Sequence, residues 1–325
     1  MDTMKAAVVR KAGGPEVLEY TDVPLPQPRQ GWSLVRVRGF GINHSEIFTR
    51  EGKSPSVVFP RILGIEAVGE IVDSPSRAFH AGQKVLSIMG EMGRAFDGSY
   101  AQYVLIPDEQ IYCVESTLSW ENLAAIPETF YTAYGAVKGL RIDPEERSQR
   151  VLIRSAAGSV GVAVAKLIRA LAPNAYLIGT TRSPQKVQRL RGVGFDEILV
   201  CPKAEVLPAD MPDVDRILDI VGPAAIRDSL HHLARNGIVS STGQLGGVWT
   251  LNNFDPITAI PNGRYLTSFY SGDVTESQIQ EMFDVIERKQ IEVKPVKVFA
   301  LSEIQEAHRF LESEQGWGKV VVIPE

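Results

Sequence analysis

Arg150–Thr181, RVLIRSAAGSVGVAVAKLIRALAPNAYLIGTT, decides how this chain is read. Val151-Leu152-Ile153 is a short apolar run, and the small-residue turn Ala156-Ala157-Gly158-Ser159-Val160-Gly161 follows it. Val160, Val164, Leu167, Ile168 and Leu171 then share one helical face, with Lys166 and Arg169 opposite. Pro173 and Asn174 stop the helix, and Tyr176-Leu177-Ile178 starts a second buried strand. Strand, turn, helix, strand is the setting that a dinucleotide turn requires. Small residues let backbone approach a pyrophosphate, and the helix start offers unpaired N–H groups and the positive end of its dipole. The pattern is A-x-G-x-x-G, with Ala156 where a first glycine is usual. Small residues at such a turn also serve plain packing; the flanking strands favour the nucleotide. The turn nominates Ala157, Gly158, Ser159, Val160 and Gly161 for cofactor binding.

The rest of the composition narrows the function class. A length of 325 residues allows one large or two ordinary domains, and a net charge of −5 gives no bulk attraction to nucleic acid or an anionic membrane. Cys113 and Cys201, the two cysteines, lack metal-type spacing and fit a reducing compartment. The start, MDTMKAAVVRKAGG, has no signal-like apolar core, and no run is long enough to span a bilayer. A cytoplasmic protein with no nucleic-acid or membrane partner is the expectation.

Upstream, short strands without helical periodicity are expected at Ala6–Val9, Ser33–Arg38 and Tyr100–Ile106. Ile62–Val72 is an apolar stretch with Gly64 and Gly69 at bends. Ser119 is placed to cap a helix that Pro127 interrupts. From Val151 onward strands alternate with helices: Glu197–Val200, Arg216–Val221, a helix over Ala224–Ala234, then Ile238–Ser241. That alternation predicts a parallel sheet covered on both faces. Near the end, Ile279, Met282, Phe283 and Ile286 form a helical stripe. Ser302 is expected to cap a further helix carrying His308, and Val320–Ile323 reads as a last strand.

Several segments, in order, resemble the medium-chain dehydrogenase/reductase superfamily and its zinc-independent quinone-oxidoreductase-like branch. They are Gly41-Ile42-Asn43, Arg50-Glu51-Gly52, Leu63–Gly69, Asp97–Tyr103, Thr132-Ala133-Tyr134, Ala156–Gly161 and Gly318-Lys319. The resemblance implies an α/β fold, with a GroES-like β-rich substrate domain plus a Rossmann doubly wound parallel sheet. It places the substrate domain at residues 1–122 and 268–325 and the Rossmann domain at 123–267. It also implies a homodimer through a Rossmann sheet edge, here around Tyr265–Phe269.

Zinc-dependent relatives hold their metal with Cys and His; the corresponding positions here are Asn43 and Ile65, neither of which replaces a thiolate or an imidazole. A ligand role for His44 with Glu46 or Glu66 competes with a simple loop histidine. No metal is expected. Without a Lewis acid, reduction of an already activated acceptor is favoured over alcohol oxidation. The second strand ends in Thr180-Thr181 with no carboxylate to receive ribose hydroxyls; Arg182, Ser183 and Lys186 follow instead. Thr181, Arg182, Ser183 and Lys186 are therefore nominated for a 2′-phosphate, making the cofactor NADP(H), although basic residues ahead of a helix are also common on solvated loops.

The resemblance carries Asn43 and Thr132 to the nicotinamide end, Thr242, Gly243 and Gln244 to the strand ends of the cleft, and Phe269 and Tyr270 to a crossover contact. The two aromatics serve equally well as core residues. Asn43 and Tyr134 are the catalytic candidates, with Glu46 a second candidate proton donor. Phe48, Tyr131 and Trp249 are candidate walls of a substrate pocket. The expected activity is hydride transfer from NADPH to a quinone or other conjugated carbonyl, an apolar small molecule. A double-bond reductase of secondary metabolism and a non-catalytic NADPH-binding protein are the alternatives.

Overall fold

The structure, a computed structural model, describes residues 2–146 and 148–325. Its first segment brings β1 (Thr3–Val9), β2 (Leu18–Pro24), β3 (Trp32–Gly41), α1 (His44–Arg50), β4 (Arg61–Ile62), β5 (Glu66–Asp73), β6 (Lys84–Ile88), β7 (Tyr103–Pro107), β8 (Tyr112–Cys113) and α2 (Trp120–Ala124). Next come α3 (Pro127–Leu140), β9 (Arg150–Ile153), α4 (Ser159–Leu171), β10 (Tyr176–Thr181), α5 (Val187–Val193), β11 (Glu197–Val200) and β12 (Val214–Asp219). They are followed by α6 (Ile226–His231), β13 (Leu233–Ser241), α7 (Pro256–Ala259), β14 (Tyr265–Ser268) and α8 (Glu276–Arg288). The chain finishes with β15 (Lys297–Ala300), α9 (Ile304–Glu312) and β16 (Val320–Ile323).

Two compact units result. One comprises Met1–Glu128, Val274–Glu276 and Val293–Glu325; the other Thr129–Asp273 and Ser277–Glu292. The expected boundaries, 123–267 for the sheet domain and 268–325 for the substrate domain, differ from these units: 123–128 lies in the first unit, and 268–273 and 277–292 lie in the sheet unit. For 277–292 the reason is that α8 buries Ile279, Met282, Val285 and Ile286, and its Glu281 receives Lys138 of α3 at 2.6 Å.

The first unit is GroES-like and antiparallel-rich. β2, β1 and β4 form a small sheet; β15-β16-β3-β5-β6-β8 form a larger one, with β7 also paired to β3. The expected run Ile62–Val72 is broken in two by Gly64, whose φ of +108° suits glycine. Gly69 sits inside β5 rather than at a bend. A Cβ there would lie 2.1 Å from the Arg36 carbonyl, so glycine lets β5 close on the irregular register of β3. Ser119 caps α2 by accepting from Asn122 N–H. Ser302 does not cap α9: it lies in a 3-10 turn, Leu301–Glu303, and the Glu303 carboxylate takes the Ala300 N–H at 2.9 Å.

The second unit holds a six-stranded parallel sheet in the order β11-β10-β9-β12-β13-β14. Numbered within the sheet this is 3-2-1-4-5-6, the Rossmann order, with its switch point between β9 and β12. The helix expected over Ala224–Ala234 is shorter, because Leu233 already pairs with Val214 as β13 begins. Among the described residues no helix is long and apolar enough to cross a membrane.

A buried polar knot ties α1 to α9 in the first unit. The Arg50 guanidinium, 1% exposed, donates to both carboxylate oxygens of Glu312 at 2.8 and 2.9 Å, to the Gly13 carbonyl, and to His308 Nδ1 at 2.9 Å. His308 Nε2 lies 3.0 Å from the Tyr100 hydroxyl. Accepting at Nδ1 leaves the proton on Nε2. Burial first, then the Arg50 and His44 charges, push His308 from 6.5 down to about 3. The unfolded chain takes up this proton below about pH 6.5 and the folded chain resists it down to about pH 3. The stability tied to His308 is thus complete above pH 6.5 and is lost as acid crosses that window. Denaturant unfolding of His308→Gln should show a flatter stability profile than the parent across this window; an unchanged profile would contradict the assignment.

Candidate functional site

The sheet unit builds the nucleotide turn from local geometry. β9 leads into Ser155, whose φ is +57°, and Gly158 N–H closes the turn on the Ser155 carbonyl at 3.1 Å. Ser155 N–H and Ala156 N–H are held by Thr180 of β10. The two glycines do different things. A Cβ on Gly161 would meet Ala156 backbone atoms at 2.7–2.9 Å, so Gly161 is required for α4 to pack against the strand. A Cβ on Gly158 would meet only the Ser155 carbonyl, at 3.6 Å. Gly158 therefore faces open space at the start of α4, and no side chain caps that helix. The N–H groups of an uncapped helix start, beside an open glycine, fit a pyrophosphate. The Ala156 side chain is buried and sits against Gly179, where a Cβ would come within 3.0 Å of it.

At the end of β10, Thr181 is buried and its Oγ1 accepts Ser183 N–H at 3.2 Å. Arg182 is exposed, and Ser183 and Lys186 are half-buried. Asp196, the nearest acid downstream, is committed to Leu177 N–H at 2.7 Å and to Arg169. No carboxylate from that segment is available for a ribose, and the basic loop fits a phosphate.

The ends of β12 and β13 meet through glycines: a Cβ on Gly222, at φ +91°, would lie 2.3 Å from the Gly243 carbonyl. Asp219 fixes this corner, accepting Gly222 N–H at 2.9 Å and the Ser229 hydroxyl at 2.6 Å. Behind it, fully buried Arg154 donates to Ser229 at 2.8 Å and to Asp228 at 2.7 Å. Burial is the main influence on Asp219 and pushes its carboxyl up. Arg154 had no role in the sequence reading. An arginine ending an apolar strand just before the glycine turn was the available signal. Thr242 N–H bonds the Asp219 carbonyl, and Gln244 donates to the Trp249 carbonyl within one loop.

The other nominated residues of this unit divide between packed and exposed positions. The Phe269 ring lies against Gly135, where a Cβ would fall 2.0 Å from it, and beside Tyr131 at 5.9 Å. Tyr131 is fully buried with its hydroxyl on the Asp273 carbonyl at 2.9 Å, so it is a core residue rather than a pocket wall. Thr132 is buried; Tyr270 and Trp249 are exposed. The Tyr134 hydroxyl donates to Glu281 at 3.3 Å, which commits the proton of that catalytic candidate, and burial raises its pKa.

In the first unit, Asn43 begins α1 and joins a buried cluster. Its Nδ2 donates to Glu66 Oε1 at 2.9 Å and to Glu46 Oε1 at 3.4 Å, and its Oδ1 accepts from Lys319 Nζ at 2.8 Å. Lys319 pairs with Glu66 Oε1 at 2.6 Å, the two side chains being 6% and 0% exposed. Glu46 also receives the backbone N–H groups of Asn43 and Ile65. Burial, then Glu66, pushes Glu46 up to about 7, against the opposing Lys319 charge. Glu46 is 1% exposed, which removes it as a direct proton donor to a substrate. Lys319 has no assigned role in the sequence; Gly318-Lys319 marks only the resemblance, ahead of the apolar Val320–Ile323. Phe48 is half-buried on α1 with Lys53 over its ring. A cavity of about 530 Å³ elsewhere in this unit is lined by parts of β1, β2 and β7, and none of the nominated residues lines it. Among the described residues, no group of three or more His, Cys, Asp or Glu is arranged to hold a metal ion.

The chain is similar to known dehydrogenases and quinone oxidoreductases. Residues 29–116 match the alcohol dehydrogenase GroES-like domain, and residues 193–322 match the zinc-binding dehydrogenase family. The chain is 28% identical to a quinone oxidoreductase of Pseudomonas aeruginosa, over 96% of this chain and 97% of that one. It is 30% identical to a zinc-type alcohol dehydrogenase-like protein of Schizosaccharomyces pombe, over 73% of this chain and 70% of that one. The structure of a mycobacterial protein complexed with NADPH superposes with a TM-score of 0.81 at 26% identity, covering 99% of this chain and 100% of that one.

The different surroundings of the two glycines separate binding from folding. Gly158→Ala should change stability by no more than about 1 kcal/mol, the poorer N-cap being offset by a less flexible unfolded chain, yet weaken NADPH roughly tenfold or more, as the methyl group displaces a phosphate contact. Gly161→Ala should cost about 1–3 kcal/mol through overpacking. Calorimetric titration and denaturant melts read the two effects; equal behaviour of the variants would contradict the assignment.

Proposed function

This chain belongs to the medium-chain dehydrogenase/reductase superfamily, in its quinone oxidoreductase-like branch, and we propose that it is an NADPH-dependent reductase of quinones or other conjugated carbonyls. The observation that carries the cofactor choice is the loop after β10, which presents Arg182, Ser183 and Lys186 and no carboxylate, beside a glycine turn open at Gly158. The superfamily membership makes the chain an oxidoreductase; the choice of acceptor follows from the residues around Asn43. Where zinc-dependent relatives have Cys and His, this chain has Asn43 and Ile65, and the polar atoms of Asn43 face an ammonium and two carboxylates. That donor set suits a lysine rather than zinc.

Bound NADPH supplies the hydride. The protein contributes placement. The uncapped start of α4 and Gly158 hold the pyrophosphate, and the basic loop holds the 2′-phosphate. The Asp219–Gly222 corner keeps the ends of β12 and β13 closed together, and Asn43 presents an amide without net charge. Reducing a quinone needs one hydride and one proton, and solvent can supply the proton to a hydroquinone oxygen. This suits a chain whose candidate proton donors are each engaged in their own unit, Tyr134 by Glu281 and Glu46 by burial.

Purified protein should oxidise NADPH far faster than NADH with a panel of quinones, 2-alkenals and enones, and without added metal. Arg182→Ala combined with Lys186→Ala should erase most of that preference, by roughly tenfold to a hundredfold. NADPH binding with no oxidation by any acceptor would contradict the enzymatic reading; metal-dependent turnover would contradict the zinc-free one. β14 ends the parallel sheet with Tyr265 exposed, and an unpaired edge of this kind suits pairing with a second copy. Light scattering should give twice the chain mass; a monomer would contradict the pairing.

A further inference from the structure

The cavity of about 530 Å³ in the first unit combines flat apolar walls with charge. Met4 and Val8 of β1 and Val104 of β7, all buried, give it an apolar side. The rings of Trp32, Phe96 and Tyr103 and the prolines Pro24, Pro26 and Pro60 supply flat surfaces around the rest. Trp32 and Phe96 hold each other edge to face, with ring centroids 5.1 Å apart. Proline fixes its own φ, so the wall carrying Pro24 and Pro26 stands preformed.

Three arginines and two aspartates complete the lining, which leaves one positive charge in excess. Four of these five are already paired: Arg10 with Glu19 at 2.8 Å, Asp22 with Lys5 at 2.7 Å, and Arg61 with Asp97 at 3.0 Å. Arg29 is the exception. Its guanidinium lies over the Trp32 ring, 4.4 Å from the centroid, a contact that orients the cation without neutralising it. Among the described residues no carboxylate pairs with Arg29. The Trp32 indole N–H and the Tyr103 hydroxyl also make no hydrogen bond to a described residue, and neither is a buried orphan. One cavity thus gathers an oriented, unpaired cation and two uncommitted donors.

We propose that this cavity is a small-molecule site for a planar aromatic monocarboxylate. The ring packs against the aromatic and proline walls, and the carboxylate takes the two-point hydrogen bond that a guanidinium offers. Charge selects the monoanion: one unpaired guanidinium balances one negative charge, whereas a dianionic phosphate ester brings a second one beside Asp22 and Asp97. A neutral aromatic fills the walls and leaves Arg29 unpaired. An aliphatic acid pairs with Arg29 and forfeits the flat contacts. The volume accommodates a two-ring ligand. Every residue of the site belongs to the first unit, so the inference stands apart from the glycine turn of the sheet unit and from the choice of NADPH.

The probe is 2-naphthoate, compared by calorimetric titration with three others. These are 2-naphthamide, flat and neutral; cyclohexanecarboxylate, charged and not flat; and 2-naphthyl phosphate, flat and dianionic. 2-Naphthoate should bind at least about tenfold more tightly than each of them. Arg29→Gln should weaken 2-naphthoate by about tenfold or more and 2-naphthamide by less than about twofold. Arg29 is exposed and unpaired, so the variant should unfold at the denaturant midpoint of the parent. A second measurement needs only the parent to be folded: its Trp32 indole N–H signal, assigned by its loss in Trp32→Phe, should move on adding 2-naphthoate and stay in place on adding cyclohexanecarboxylate. No binding of 2-naphthoate at millimolar concentration would overturn the proposal. So would equal binding of the acid and its amide, tighter binding of the phosphate, an affinity that Arg29→Gln leaves unchanged, or a Trp32 signal that 2-naphthoate does not move.

Discussion

The ammonium of Lys319 against the carboxylate of Glu66 is the interaction on which the Asn43 end of the first unit depends. Burying either ion alone would cost several kcal/mol, and the pair is supported by further hydrogen bonds on both sides. Glu66 also takes a backbone N–H of α3, and Lys319 also takes the Asn43 oxygen. Gly41 is glycine so that the lysine can pass, and Asn43 lies as it does because of the charges around it. The Arg50–Glu312–His308–Tyr100 knot repeats this logic at the other end of α1, with a neutral imidazole bridging a guanidinium and a phenol. The helix is held at both ends by buried polar contacts, and the order of the Asn43 amide follows from that rigidity.

The sheet unit rests on steric constraint more than on charge. Gly161 lets α4 approach the strand, Gly222 and Gly243 let two strand ends meet, and Gly135 admits the Phe269 ring. Arg154 and Asp219 then fix the corner beside the switch point of the sheet. Gly158 differs from the others because nothing in the protein fills the space a side chain would take. A turn packed tightly on one side and open on the other separates a ligand cradle from ordinary close packing.

Much of this was legible in the sequence wherever contacts are local. Period and turn chemistry located β9, α4 and β10, and Ser119 and Pro127 marked the α2–α3 junction. What stayed hidden depends on residues distant in the chain. Lys319 and Glu66 are 253 positions apart, and Arg154 meets Ser229 across 75. No spacing rule connects such positions. The assignment of 277–292 failed for the same reason, since the α8 stripe says only that one face is buried and not against what. Tyr131 looked like a pocket wall because aromatic residues serve walls and cores alike. Its contacts with Phe269 and Asp273 decide for the core.

The central claim is that this chain moves hydride from NADPH to a conjugated carbonyl by placement, without a metal. Anaerobic single-turnover mixing with a quinone, comparing NADPH with its C4-deuterated form in the presence of a chelator, tests it most directly. The account predicts oxidation of the nucleotide with a primary isotope effect and full retention of rate in the chelator. Nucleotide that stays reduced, or a rate that collapses when metal is removed, would contradict it.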